Sequence, residues 1–234
     1  MLLGIVVSTE LEADIMLKQL TVKESIFIQH KAFCKGFLKD TVHAVVCICG
    51  VGKANAAHGV ALLIERFKPE LICNIGVAGA YPSSGLSIGD IVVAEKEIYG
   101  DEGVMLRDDF LTLDKIKLPL LSVNGIEYYN EFPMLVPEKL KGFNHRGNFV
   151  TVSTCTGTLK TGQAIEQRFN AVCENMEGAA VAHVCALNSI PAVEIRGISN
   201  IIEDRTAGSL NKADIVIAAG NVQRFFLDNY LSDI

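Results

Sequence analysis

Short, unbroken apolar runs alternate along this chain with longer segments whose apolar positions return every three or four residues. Leu2–Val7 and Val42–Ile48 are runs of the first kind. Stretches this short and this apolar are the pattern of strands buried on both faces. Leu71–Ile75 and Pro191–Ile198 read the same way, and Asp90–Ile98 and Phe149–Ser153 add two further strands. Helical spacing runs through Glu10–Leu20, Lys53–Phe67, Gly162–Phe169, the Ala-rich Gly178–Asn188 and Leu210–Leu227. Pro69 stops the second of these helices. Strands alternating with helices predict a layered α/β domain. The segment from Tyr99 to Pro137 is irregular and rich in Asp, Leu and Pro, which predicts loops and a short helix close to a subunit contact. No repeat, linker or low-complexity tract interrupts the pattern, so residues 1–234 are expected to form a single catalytic domain.

Composition narrows the function classes. Half of the residues are apolar and the mean hydropathy is +0.32. That predicts a deeply buried sheet together with apolar surface for a partner subunit. A net charge of −6 with no basic patch argues against a nucleic-acid partner. The 7 cysteines are scattered through apolar runs without a Cys-x-x-Cys pair, as expected of buried thiols in a reducing cytoplasm. Leu2–Val7 is too short for a signal core and is followed by Glu10 and Glu12. The uncharged stretch from Leu71 to Gly89 holds Asn74, four glycines and Pro82, which is loop chemistry rather than a membrane span. A cytoplasmic protein without membrane contact is the expectation.

Several familiar motifs are absent. Gly50-Val51-Gly52-Lys53 lacks the first Gly and the final Ser or Thr of a phosphate-binding loop and predicts a tight strand-to-helix turn. Gly76-Val77-Ala78-Gly79 lacks dinucleotide spacing. At both turns the backbone can still pass close to a small ligand. The five histidines show no metal-ligand spacing, and no nucleophile elbow is present. Neither a metal nor a cofactor is expected.

Two segments carry chemistry. Asn175-Met176-Glu177-Gly178 places a carboxylate at a helix start, and Arg196-Gly197-Ile198-Ser199-Asn200 places a cation, a hydroxyl and an amide at the end of a buried strand. With Glu12, and with Asn74–Gly79 after the third strand, they resemble the nucleoside phosphorylase/nucleosidase superfamily over nearly the whole chain. Order and spacing are similar to the bacterial methylthioadenosine/adenosylhomocysteine nucleosidases. Asn-Met-Glu-Gly-Ala-Ala, and Gly-Ile-Ser-Asn followed by Glu203, Asp204 and Arg205, most resemble the futalosine hydrolases of the alternative menaquinone pathway. The resemblance implies a three-layer α/β/α sandwich with a twisted, mixed central sheet, and a homodimer acting on a nucleoside with water as nucleophile.

It also implies roles. Glu177 would bind the ribose diol and stabilise the cationic sugar, with Met176 against the sugar face. Glu12 would take a proton from the attacking water. Arg196 would orient the water and the glutamates, and Val77, Ala78 and Gly79 would contact substrate. In adenine-specific relatives an aspartate stands where this chain has Asn200. A carboxamide cannot act as an acid, but it can offer a carbonyl to a protonated N7 and an N–H to a neighbouring keto oxygen. Asn200, supported by Ser199, therefore predicts a hypoxanthine-type base. The Ser8-Thr9-Glu10-Leu11-Glu12 turn would repel phosphate, which favours hydrolysis over phosphorolysis. Arg205 either pairs with a carboxylate on the 5′ substituent or forms a salt bridge with Glu203 or Asp204. Tyr99–Met105 is the candidate contribution to a second subunit's site. The family's base-stacking aromatic is missing from Val152–Gly157, and Phe169 is a candidate replacement. The alternatives are a methylthioadenosine/adenosylhomocysteine nucleosidase, a purine nucleoside phosphorylase and a non-catalytic nucleoside-binding protein.

Overall fold

The computed structural model describes residues 1–107, 109–123, 125–206 and 211–233. In chain order the elements are β1 (Leu2–Val7), α1 (Glu10–Gln19), β2 (Leu20–Ile28), β3 (Lys31–Leu38), β4 (Val42–Ile48), α2 (Lys53–Phe67), β5 (Leu71–Ala80), β6 (Ile91–Tyr99) and β7 (Gly103–Met105). There follow β8 (Phe110–Thr112), β9 (Leu121–Val123), β10 (Ile126–Tyr128), β11 (Glu131–Pro133), a 3-10 turn at Glu138–Leu140, β12 (Arg146–Thr151), α3 (Leu159–Phe169), β13 (Ala171–Asn175), α4 (Gly178–Leu187), β14 (Ala192–Ile201) and α5 (Lys212–Phe225).

The central sheet is mixed, as expected. β1 lies between β4 and β5, parallel to both, and the β2–β3 hairpin extends the sheet beyond β4. On the other side the strands close on themselves. β14 pairs parallel with β5 and antiparallel with β6, β12 pairs parallel with β6 and β13, and β13 returns antiparallel to β5. Successive side chains of a strand point to opposite faces. Accordingly Leu3, Ile5 and Val7 of β1 pack into the core beneath α1 and α5, while Val6 packs into the core beneath α2 and α4. Helices on both faces satisfy the buried sheet and produce the three layers.

Four expectations needed correction. The β2–β3 hairpin was not foreseen. Nor was β13, the strand that carries Glu174 and Asn175. Gly76–Gly79 is not a turn; β5 runs straight through it to Ala80. Residues 99–137 hold three-residue strands, and the short helical turn falls just beyond them at Glu138–Leu140. The C-terminal helix begins at Lys212; the predicted start at Leu210 lies outside the described residues.

Candidate active site

A cavity of about 330 Å³ opens over the carboxyl-terminal parts of β1, β5, β13 and β14. Its walls include Ser8, Thr9 and Glu12, Val77–Gly79, Glu174–Glu177, and Ser199, Asn200 and Arg205. Of the ten residues singled out from sequence, nine line this cavity. Arg196, the tenth, is 1% exposed and lies beneath it.

Glu12 is held by helix-start chemistry. Thr9 caps α1, and Glu12, three residues on, completes a capping box. Its Oε2 accepts the Thr9 N–H at 2.9 Å and the Thr9 hydroxyl at 2.8 Å. Its Oε1 accepts the Val77 N–H at 2.9 Å. Capping and a site role are thus the same contact set, and the side chain is fixed by two elements distant in sequence. Glu10 is exposed and outside the cavity.

Glu177 is the residue before α4 and makes no side-chain cap bond to that helix. Its carboxylate is free to face the cavity, and its Oε1 accepts the Gly52 N–H at 2.8 Å. The Gly50–Gly52 turn therefore serves the site by backbone, with Val51 in the wall. Asn175 Oδ1 takes the N–H groups of Glu177 and Gly178 at 2.9 and 2.7 Å, and so sets the start of α4.

Arg196 pairs with Glu177 from below and acts on Glu12 only through its charge. Its Nε donates to Glu194 Oε1 at 2.7 Å, its Nη1 donates to the Val77 carbonyl at 3.3 Å, and Nη1 lies 3.7 Å from Glu177 Oε2. Burial would lower the guanidinium's pKa, but Glu194, Glu177 and Glu12 outweigh it and raise the value, so the cation is secure. A Cβ at residue 76 would lie 2.5 Å from Arg196 Nη1 and 2.7 Å from Glu12 Oε1. Gly76 leaves the room that the guanidinium and the Glu12 carboxylate both need.

Gly79 does the same for the opposite wall. A Cβ there would lie 2.8 Å from Asn200 Nδ2. Asn200 Oδ1 accepts the Ser199 hydroxyl at 3.1 Å, whereas Asn200 Nδ2 is buried with no hydrogen-bond acceptor. Met176 and Cys155 bring their sulfurs to 3.5 Å along this wall. Among the described residues no aromatic ring lines the cavity. Phe169 does not replace one, because it packs with Tyr81, Phe110 and Ile202 in a separate apolar cluster. Asp204 is occupied by the Leu159 N–H at 2.8 Å, and Arg205, in the cavity wall, has no ion-pair partner among the described residues. Tyr99–Met105 lies outside the cavity, with Val104 and Met105 exposed. No group of His, Cys, Asp or Glu among the described residues could hold a metal ion.

The sequence and the fold have known counterparts. Residues 2–232 match the Phosphorylase superfamily. The chain belongs to that superfamily. It is 30% identical over 203 residues to a 5′-methylthioadenosine/S-adenosylhomocysteine nucleosidase of Staphylococcus aureus, with 86% of each chain covered. The fold superposes with a TM-score of 0.81 on the Streptococcus pneumoniae methylthioadenosine/adenosylhomocysteine nucleosidase bound to 8-aminoadenine, at 22% identity and 97% of each chain. It also superposes with a TM-score of 0.79 on the futalosine hydrolase of Helicobacter pylori, at 20% identity, over 96% of this chain and 95% of that one. These relatives are nucleosidases, and the chain is an enzyme of that class. No helix among the described residues is long and apolar enough to cross a membrane.

Proposed function

We propose that this enzyme hydrolyses the N-glycosidic bond of futalosine and releases hypoxanthine. The observation that carries the base assignment is Asn200, whose Nδ2 stands buried in the cavity wall without an acceptor. A keto oxygen at purine position 6 supplies that acceptor. A 6-amino group presents a donor to a donor. Cleavage builds positive charge on the sugar and negative charge on the base, through an oxocarbenium-like transition state. Glu177, fixed by Gly52 and Arg196, holds the ribose hydroxyls and stabilises the cationic ring. Glu12 takes a proton from water as it attacks the anomeric carbon. Asn200 Oδ1 accepts from N7 once the leaving base is protonated there.

Water rather than phosphate is the nucleophile in this account. Two carboxylates face the sugar side, the guanidinium nearest them is buried beneath the cavity with its Nε and Nη1 bonded to Glu194 and Val77, and Arg205 stands in the wall with Cys155. An unpaired Arg205 suits a carboxylate on the 5′ substituent. A single domain, a homodimer and a contribution from Tyr99–Met105 to a partner's site belong to the same proposal.

The relatives support a second reading, a methylthioadenosine/adenosylhomocysteine nucleosidase. Incubating the purified enzyme with futalosine, inosine and methylthioadenosine, with and without phosphate, decides between them. Hypoxanthine released from futalosine without phosphate is expected. Release of adenine alone overturns the base assignment, phosphate dependence overturns hydrolysis, and no release favours a binding protein.

A further inference from the structure

One carboxylate in the cavity has no part in the mechanism above. Glu174 is 4% exposed, sits on β13 and lines the cavity beside Cys155. Strand register fixes where it stands. Glu174 is paired with Gly79 on one side of β5, and Asn200 is paired with the same Gly79 on the other. Paired residues on neighbouring strands share a face. Gly79 has no side chain, and the Asn200 carboxamide lies over it in the same cavity wall that holds Glu174.

The two groups have opposite unmet needs. Glu174 Oε2 accepts from the Thr156 hydroxyl at 2.6 Å and the Tyr81 hydroxyl at 3.2 Å. Glu174 Oε1 accepts only the Thr156 N–H, at 2.7 Å, which leaves a lone pair in use by nothing. Asn200 Nδ2 is a donor with no acceptor. The cavity wall thus holds an unpartnered donor and an under-used acceptor, on the two strands that flank Gly79 of β5. The lactam edge of a 6-oxopurine carries the complement on adjacent atoms, with O6 accepting and N1–H donating. A 6-aminopurine carries the reverse, an N–H donor at position 6 and a lone pair at N1.

We propose that Glu174 is a specificity residue that accepts the N1–H of a 6-oxopurine base, so that Glu174 and Asn200 together read its lactam edge. This rests on the base assignment made above from Asn200 and extends it to a second atom of the base. Thr156 and Tyr81 keep the carboxylate from rotating away, and the mismatch at N1 turns away adenine independently of the mismatch at position 6.

Binding of free bases tests this without turnover. Hypoxanthine, 1-methylhypoxanthine and adenine are titrated calorimetrically into the wild-type enzyme, Glu174→Gln and Glu174→Asp. The wild type is expected to bind hypoxanthine about 10- to 100-fold more tightly than 1-methylhypoxanthine, the range for a hydrogen bond to a charged group. In Glu174→Gln, hypoxanthine affinity is expected to fall by a similar factor, the methyl penalty to shrink towards nothing, and adenine to gain relative to hypoxanthine. Glu174→Asp, which keeps the charge but withdraws it, is expected to fall between the two. An equal methyl penalty in wild type and variants would mean that the methyl group is excluded by size alone, and would overturn the role of Glu174. So would unchanged hypoxanthine affinity in either variant. Both results leave the 6-oxopurine assignment standing if the wild type still prefers hypoxanthine to adenine. A wild-type preference for adenine would overturn that assignment and this proposal with it.

Discussion

The sugar side and the base side of the cavity are built in opposite ways. On the sugar side the Glu12 and Glu177 carboxylates accept four hydrogen bonds, two from Thr9 and one each from Val77 and Gly52. Arg196 braces Glu177 from below through Nη1, while its Nη2 has no partner among the described residues. On the base side Asn200 Nδ2 has no acceptor and Arg205 has no ion partner among the described residues. Charges that must meet a transition state are set in place before substrate arrives, which is where electrostatic catalysis gains most. Groups that identify the substrate are left unsatisfied until it binds, so a wrong base leaves them unpaired. In the proposed mechanism the difference places reaction type in one wall and substrate choice in the other.

Mutations on the sugar side should therefore cost turnover for every substrate. Glu177→Gln is expected to lower kcat by about 10³-fold or more, since it removes charge that faces the cationic ring. Glu12→Gln should lower kcat by about 10²- to 10⁴-fold, the usual range for a lost general base. Near-normal rates would remove either residue from the mechanism. Gly76→Ala pushes Arg196 Nη1 and Glu12 Oε1 apart and is expected to cost about 10²-fold, the cost of misplacing reacting groups by roughly 1 Å. Circular dichroism on the same sample should show an intact fold. On the base side, Arg205→Ala should raise KM about tenfold for a substrate with a 5′ carboxylate and leave inosine unaffected. A uniform loss across both substrates would blur the division between the walls.

The smallest effect on turnover is expected from Glu97, buried behind both walls. Its Oε2 accepts the Thr151 hydroxyl at 2.8 Å and its Oε1 the Asn175 amide at 2.5 Å. Burial, and then the nearby Glu194, raise its pKa well above the usual carboxylate range. The folded state thus favours the protonated acid. That stability is fully present below the unfolded-state value and is lost as pH rises towards and through the raised folded-state value. Glu97→Gln keeps a neutral side chain of the same shape. It should stay within about threefold of wild-type kcat and flatten the decline of Tm as pH rises above the ordinary carboxylate range. A Tm profile that keeps the wild-type slope would show that Glu97 is not the group responsible.

How much of this was legible in the sequence follows from burial. β1, β4 and β5 announce themselves because both faces are covered and nearly every position is apolar, His43 and Asn74 being the exceptions. The β2–β3 hairpin does not. Most of β2 is exposed, and its turn uses Gln29 and His30, both with positive φ (45° and 64°), in place of the Asn-Gly signal that normally marks such a turn. β13 is five residues long and ends in two polar residues, Glu174 and Asn175, whose burial is explained by the site rather than by any local pattern. The charged residues on the sugar side were legible because the order Glu12, Glu177, Arg196 is a family signature. Gly76 and Gly79 were visible as turn formers, and Gly79 also as backbone close to the substrate. Their negative or extended backbone and their contacts show that they instead make room for Arg196 and Asn200. The missing base-stacking ring was also legible, but its substitute was not: Phe169 is held by the apolar cluster around Tyr81 and Phe110.

The account stands or falls on the carboxamide at residue 200. The direct test is the ratio of kcat/KM for a matched pair of nucleosides that differ only in a 6-oxo or a 6-amino base, measured without phosphate in wild type and Asn200→Asp. The wild type should favour the 6-oxopurine by about 10²-fold or more, and Asn200→Asp should collapse or invert that preference. A ratio that Asn200→Asp leaves unchanged, or a wild-type preference for the 6-aminopurine, would contradict it.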